Sequence, residues 1–127
     1  MADQVLKVDL VASLKSAIKD PEFSREMRFF TGAMKIGVGG DFTVARFEDG
    51  KLMEVSVTQL SDSECKIVIN GTNDQWEKML EKYPIPFYQC LQTTSVKHGL
   101  KMSVTNETFA YLPALNRLVQ FMREQRN

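Results

Sequence analysis

The sequence is short of the residues that most reactive centres need. In 127 residues it has one histidine and two cysteines. Cys65 and Cys90 are too few for a disulfide framework and lack the spacing of metal ligands. The histidine, His98, has no Cys or carboxylate partner at zinc-ligand spacing, so no metal and no cofactor is expected. Charge of one sign is also missing, since 16 Lys and Arg balance 16 Asp and Glu. That balance provides no electrostatic footprint for nucleic acid or for an anionic membrane. No stretch approaches the ~18 consecutive apolar residues of a membrane span. The first ten residues interleave Asp3, Lys7 and Asp9 with apolar positions, leaving no signal-peptide core. The expectation is a soluble, cytoplasmic chain with reduced thiols, in which the sequons at Asn70 and Asn106 carry no weight.

What is present is ordinary for a globular protein: 43% hydrophobic and 25% charged residues. No linker, repeat or charge block divides the chain, so residues 1–127 read as a single domain. From residue 4 to residue 19, Leu10, Val11, Leu14 and Ile18 fall at helical spacing. Asp20-Pro21 ends that helix and suits the start of a short second one. The period then changes. Phe30, Gly32, Met34, Ile36 and Val38 alternate as a strand. Gly39-Gly40 marks a turn into a second strand, Phe42 to Glu48. Asp49-Gly50 is a strong hairpin signal leading to a third strand, Leu52 to Thr58. Ser61 to Glu64 reads as a polar loop. Cys65 to Asn70 reads as a fourth strand closed by a tight Asn70-Gly71 turn, which completes a four-stranded meander.

Helical period returns at Thr72-Asn73-Asp74-Gln75, a capping box followed by the stripe Trp76, Met79, Leu80, Tyr83. Pro84-Ile85-Pro86 stops it, and Phe87 to Leu91 forms a short helix or turn. Lys97 to Thr105 reads as a fifth strand with Leu100, Met102 and Val104 inward. Asn106 is the candidate cap of a closing helix carrying Phe109, Leu112, Leu115, Leu118, Val119 and Met122, which starts or kinks near Tyr111 because of Pro113. The layout is α+β: a mainly antiparallel five-stranded sheet with helices over one face.

No set of residues forms a catalytic constellation. His98 reads as a solvated turn residue, and Cys65 and Cys90 as small hydrophobes. Gly37-Val38-Gly39-Gly40 lacks the Gly-Lys-Ser/Thr ending of a phosphate loop and precedes a strand, so turn chemistry explains it. Glu48, Asp49 and Glu54 read as solvated charges beside a hairpin. The informative excess is methionine, with seven in the chain. Met34, Met79, Met102 and Met122 sit on four separate elements, and methionine fills adaptable apolar space. Two readings stay open at this point: a plain core, or the walls of an apolar cavity.

The stretches Arg46-Phe47-Glu48-Asp49-Gly50-Lys51 and Val68-Ile69-Asn70-Gly71-Thr72-Asn73-Asp74-Gln75-Trp76-Glu77-Lys78-Met79-Leu80 resemble the sterol carrier protein type two family. Pro84-Ile85-Pro86-Phe87-Tyr88-Gln89-Cys90-Leu91 is similar to a Pro-rich segment of its bacterial stand-alone relatives. Gly99 to Asn106 corresponds to the family's Gly-x-Leu-x-Ile-x-Gly-(Asn/Asp) strand. The resemblance runs from about Arg25 to Arg123. It implies a five-stranded α+β fold with an apolar tunnel between sheet and helices that takes sterols, fatty acids or acyl-CoA, without chemistry of its own. Two departures stand out. The chain ends Glu124-Gln125-Arg126-Asn127 without a peroxisomal tripeptide, and Thr105-Asn106 replaces the Gly-Asn or Gly-Asp turn. A bacterial stand-alone relative fits better than the eukaryotic transfer protein.

The leading expectation is therefore a non-catalytic carrier of an apolar small molecule or lipid. Its expected lining is Phe30, Met34, Ile36, Trp76, Met79, Leu80, Phe87, Leu100, Met102, Leu115, Val119 and Met122. Arg46, Gln89 and His98 are candidate contacts for a polar head. The alternative is a small cavity enzyme of isomerase or hydratase type, which requires a buried ionisable group, with His98 and Glu54 first in line. A third reading is an interaction module pairing as a homodimer through Tyr111, Phe121 and Met122.

Overall fold

The computed structural model describes residues 9–57 and 60–127. The expected helical start at residues 4–8 and the expected strand end at Thr58 lie outside them. Helix α1, Leu10–Ala17, begins where the Asp9 carboxylate accepts from the Ala12 N–H at 3.0 Å. Helix α2, Pro21–Met27, has Pro21 in its first turn, where its missing N–H costs nothing, and the Asp20 carboxylate accepts from the Phe23 N–H at 2.9 Å. Leu14, Ala17, Phe23 and Met27 turn inward and are buried.

Strands β1 (Gly32–Val38), β2 (Asp41–Glu48) and β3 (Lys51–Ser56) form the meander's first three members. Gly39 and Gly40 adopt φ of 60° and 97° in the first turn. Asp49 and Gly50, at 51° and 81°, make the second a left-handed pair whose twist matches the flanking strands.

The fourth strand departs from the expected meander. β4, Ile67–Gly71, pairs with β1 in parallel, and the order is β3-β2-β1-β4-β5. Alternation specifies which side chains share a face; it does not specify which strand lies alongside. The long connection from β3 gives the chain room to cross the sheet before returning. It crosses the outward face, where Lys35 Nζ donates to the Leu60 carbonyl at 2.7 Å and pairs with Asp62 at 3.1 Å. Residues Asp62–Glu64 within it form one 3-10 turn.

Asn70-Gly71 is likewise no turn, because both residues lie in β4. Gly71 answers a packing demand. A Cβ there would stand 2.7 Å from Trp76 Nε1 and 2.8 Å from Leu100 Cδ1. Helix α3, Asn73–Met79, follows at once from the expected capping box. Thr72 Oγ1 accepts from the Gln75 N–H at 3.1 Å, and Gln75 Oε1 accepts from the Thr72 N–H at 2.9 Å. Tyr83 falls beyond this helix and is 81% exposed, so it is not part of the apolar stripe.

The expected strand from Lys97 is mostly helix and loop. Helix α4 spans Leu91–His98, and β5 is only Lys101–Met102. Leu91 and Thr94 alone turn fully inward from α4, so its apolar period is faint, and three β-branched residues (Thr93, Thr94, Val96) disguise it further. Gly99, at φ 76°, ends the helix in left-handed conformation. Val104 is 80% exposed instead of inward.

Thr105 caps helix α5, Asn106–Ala110, through its hydroxyl, which accepts from the Thr108 N–H at 3.1 Å; Asn106 is the first helical residue. The chain breaks at Tyr111 and continues as α6, Leu112–Arg126, with Pro113 in its first turn. Leu115, Leu118, Val119 and Met122 of α6 are buried, whereas Phe109 of α5 is exposed. The result is α+β, with a mostly antiparallel sheet whose β1–β4 pair is parallel. Among the described residues no helix is long and apolar enough to cross a membrane.

The helical layer is tied across the whole chain. Arg117 on α6 donates through Nε and Nη2 to the two carboxylate oxygens of Asp20, each at 2.9 Å. Glu22 and Glu124 flank the same guanidinium at 3.7 and 3.5 Å. Hydrogen bonds from Arg117 and from the Phe23 N–H hold the Asp20 carboxyl down at about 2, against an ordinary 3.8.

Two stability predictions rest on these contacts. Gly71→Ala is expected to lower unfolding free energy by about 1–3 kcal/mol, read by urea denaturation, because the methyl overpacks the indole. Asp20→Ala removes a helix cap and half of a nearly buried pair and is expected to cost about 2–4 kcal/mol. The folded carboxyl titrates below the unfolded one, so the pair's contribution is present above 3.8 and is lost as pH falls toward about 2. Asp20→Asn should therefore show a smaller loss of stability than the parent between about pH 6 and about pH 3.

Candidate functional site

The inward side chains of the sheet lie in rows set by strand register. Met34 sits opposite Ala45 of β2 and Ile67 of β4; Ile36 sits opposite Thr43 and Ile69. Over this floor the helices lay Leu14, Met27, Trp76, Met79, Leu115, Val119 and Met122, all in one continuous apolar cluster with it. The only buried polar residues among the described ones are Thr43, Thr94 and Thr108. The layer thus offers dispersion contact and almost no hydrogen bonding.

Of the expected lining, Phe30, Met34, Ile36, Trp76, Met79, Leu80, Leu100, Leu115, Val119 and Met122 fall in this cluster, and Met102 packs half-buried against it. Phe30 meets Phe47 and Tyr111 edge-on, at 5.6 and 4.9 Å between ring centroids. Trp76 satisfies its buried indole N–H on the Gly37 carbonyl at 2.9 Å. Phe87 is set apart. It is 44% exposed and stands outside the cluster. Its φ of 74° follows Pro86 in a turn closed by the Tyr88 N–H on the Ile85 carbonyl at 3.1 Å. The hydroxyls of Thr93 and Thr94 donate to its carbonyl at 3.1 and 2.8 Å, holding a backbone conformation that costs a phenylalanine energy.

The polar candidates lie elsewhere. Arg46 is exposed on the outward face and pairs with Glu54 at 3.5 Å. Gln89 is exposed and accepts from the Phe87 N–H at 2.9 Å. His98 stacks on Tyr88 at 3.9 Å, with Nε2 3.4 Å from the Pro86 carbonyl. None of these, nor Glu54, is brought into the apolar layer. Met122 is buried in the core and Tyr111 and Phe121 pack partly against it, so Met122 is not part of a surface patch.

Several contributors lie outside the expected lining, Met27, Phe47 and Arg123 among them. Met27 and Phe47 join the layer, and Arg123 fastens its far end. Arg123 Nε donates to the Met79 carbonyl at 2.8 Å and Nη2 to that of Gln89 at 3.2 Å. Burial pushes its pKa down from the ordinary arginine value. A signal for Met27 was available, since it falls three residues before Phe30 and four after Phe23. The Arg123 partners, both backbone carbonyls, leave no signal.

No family model matches the chain, and no curated protein matches it. Solved structures do. The crystal structure of sterol carrier protein 2 superposes with a TM-score of 0.70 at 14% identity, covering 96% of this chain and 98% of that one. The solution structure of TT1886, a conserved hypothetical protein from Thermus Thermophilus described as a possible sterol carrier protein, gives 0.62 at 15% identity, covering 97% and 92%. Nearly the whole of each chain takes part. The sheet order, the helical layer and the span of the match together give this chain the fold of sterol carrier protein 2.

Proposed function

We propose that the protein is a non-catalytic carrier that holds an apolar ligand of sterol, fatty acid or acyl class between sheet and helices. The observation that carries this reading is the methionine content of that layer. Met27 of α2, Met34 of β1, Met79 of α3 and Met122 of α6 are all buried in the same cluster. Unbranched thioethers repack around a guest at small cost, whereas the β-branched floor of Ile36, Ile67 and Ile69 stays stiff. The near absence of polar groups in the layer favours hydrocarbon over a polar substrate. The shared fold with a protein named as a sterol carrier supports the same class of ligand. A cytoplasmic, soluble setting suits the role, with the ligand as the partner that matters.

The magnitudes are consistent with this role. Burying about fourteen methylenes gains roughly 11 kcal/mol at ~0.8 kcal/mol each. Subtracting about 4 kcal/mol or more for association leaves a dissociation constant on the order of 10 μM or weaker.

The test is titration with a fluorescent long-chain fatty acid. The parent should bind saturably. The double variant Met34→Leu, Met79→Leu keeps side-chain volume and should lose less than about 1.5 kcal/mol of stability. It should nevertheless bind severalfold more weakly, because leucine cannot adapt its shape as methionine does. Binding by a folded double variant that equals the parent's would contradict the placement of the ligand.

A further inference from the structure

The outward face of the sheet, away from the helices, has its own chemistry. Register sets Phe42, Gly37, Asn70 and Lys101 in one row across β2, β1, β4 and β5. A Cβ at Gly37 would stand 2.6 Å from both Asn70 Oδ1 and the Phe42 ring, so the glycine lets aromatic and amide lean together over it. The β3–β4 crossover walls this region on one side, through Asp62 and Ser63, and the chain following β5 walls it on the other. Between them runs an open groove of about 460 Å³ floored by Val68 and Asn70. A second recess of about 540 Å³, beside Gly39 and Gly40, shares Asn70 and Lys101 with the first. The amide and the ammonium stand where the two meet.

Charge in this region is unevenly satisfied. Asp62, the acid of the groove, pairs with Lys35 at 3.1 Å, and Asp74, the acid of the recess, pairs with Lys78 at 3.3 Å. Hydroxyls in the groove wall are committed too: Ser103 to Thr108 at 2.6 Å and Thr105 to the Lys66 carbonyl at 3.3 Å. Among the described residues, the Lys101 ammonium has no ion pair, and neither it nor the Asn70 side chain makes a hydrogen bond. Among the described residues, one end of the groove therefore has an unpaired cation beside an unpaired amide, and Val68, Met102 and Phe42 supply an apolar strip between walls whose polar groups are already paired. Donors at one end and hydrocarbon at the other fit an amphiphilic anion. The groove's size falls in the ~300–1,000 Å³ range of small-molecule sites.

We propose that this outward groove is a second binding site, separate from the apolar layer, for a short amphiphilic carboxylate. The carboxylate accepts from Lys101 Nζ and Asn70 Nδ2, and the hydrocarbon lies along Val68 toward Phe42. Two charge-assisted or amide hydrogen bonds give the orientation, and the apolar floor excludes water from one side of the chain.

Octanoate is the probe, followed by NMR of the methyl and side-chain amide resonances. Val68 and Asn70 report the outward face, while Met34, on the neighbouring strand, reports the inward one. Saturable shifts at Val68 and Asn70 are expected. Lys101→Glu should weaken the affinity read there about tenfold or more, the scale of one charge-assisted contact. Ser63→Trp, which fills the groove wall without changing charge at Lys101, should weaken it as well, and both variants should leave the Met34 response in place. Saturation seen at Met34 alone would overturn the proposal. So would Val68 and Asn70 shifts that keep the parent affinity in both variants.

Discussion

One ion pair fixes the geometry of the helical layer: the two-pronged contact between Asp20 and Arg117, 97 residues apart. The sheet can be covered only if helices from both ends of the chain meet over the same face. Apolar packing brings α2 and α6 together but is non-directional and specifies no register. A planar guanidinium on a carboxylate does specify one. The net worth of such a pair against well-packed hydrocarbon is modest, because both ions give up water. Its value lies in orientation, and Asp20 adds to this by capping α2 with the same carboxylate.

Helix α6 is fastened at its other end as well. Arg123 grips the Met79 and Gln89 carbonyls, and the Asn127 side chain donates to the Leu80 carbonyl at 2.9 Å. The helix thus spans from α2 to the end of α3, anchored by polar contacts outside the apolar layer. Between the anchors it contributes Leu118, Val119 and Met122 to the interior. In the proposed carrier role, a guest molecule would be accommodated there by rotation of methionine side chains while the helix keeps its anchors. This division between fixed frame and adaptable lining links the packing to the proposed carrier role.

What the sequence makes legible is what is local. The Asp49-Gly50 turn, the Thr72–Gln75 box and the Asp20-Pro21 start each need only residues a few positions apart, and each forms as expected. The inward sides of β1 and β4 are legible for the same reason, from alternation alone. Strand partnership is different in kind. Ile67 and Ile69 show which face β4 buries, yet nothing in them shows that it joins β1 in parallel after crossing the outward face. Helix α4 was hidden because only Leu91 and Thr94 turn fully inward. Within the candidate lining, the residues on regular elements converge in one cluster, whereas Phe87 depends on a left-handed turn conformation that phenylalanine rarely adopts and that no pattern announces. The polar candidates Arg46, Gln89 and His98 belong to contacts made by the folded surface, which spacing does not encode.

The two faces of the sheet divide the chemistry between them. Inward, nearly every side chain is hydrocarbon or thioether; outward, Lys101 and Asn70, unpaired among the described residues, stand at the end of a groove with an apolar strip. The central claim concerns the inward layer, and native mass spectrometry of the purified protein tests it most directly. The expected spectrum shows an adduct that disappears on denaturation and is recovered in organic extract as a fatty acid, sterol-like or acyl species. An apo mass that persists after incubation with excess long-chain fatty acid would contradict the carrier reading and leave the layer as a plain core.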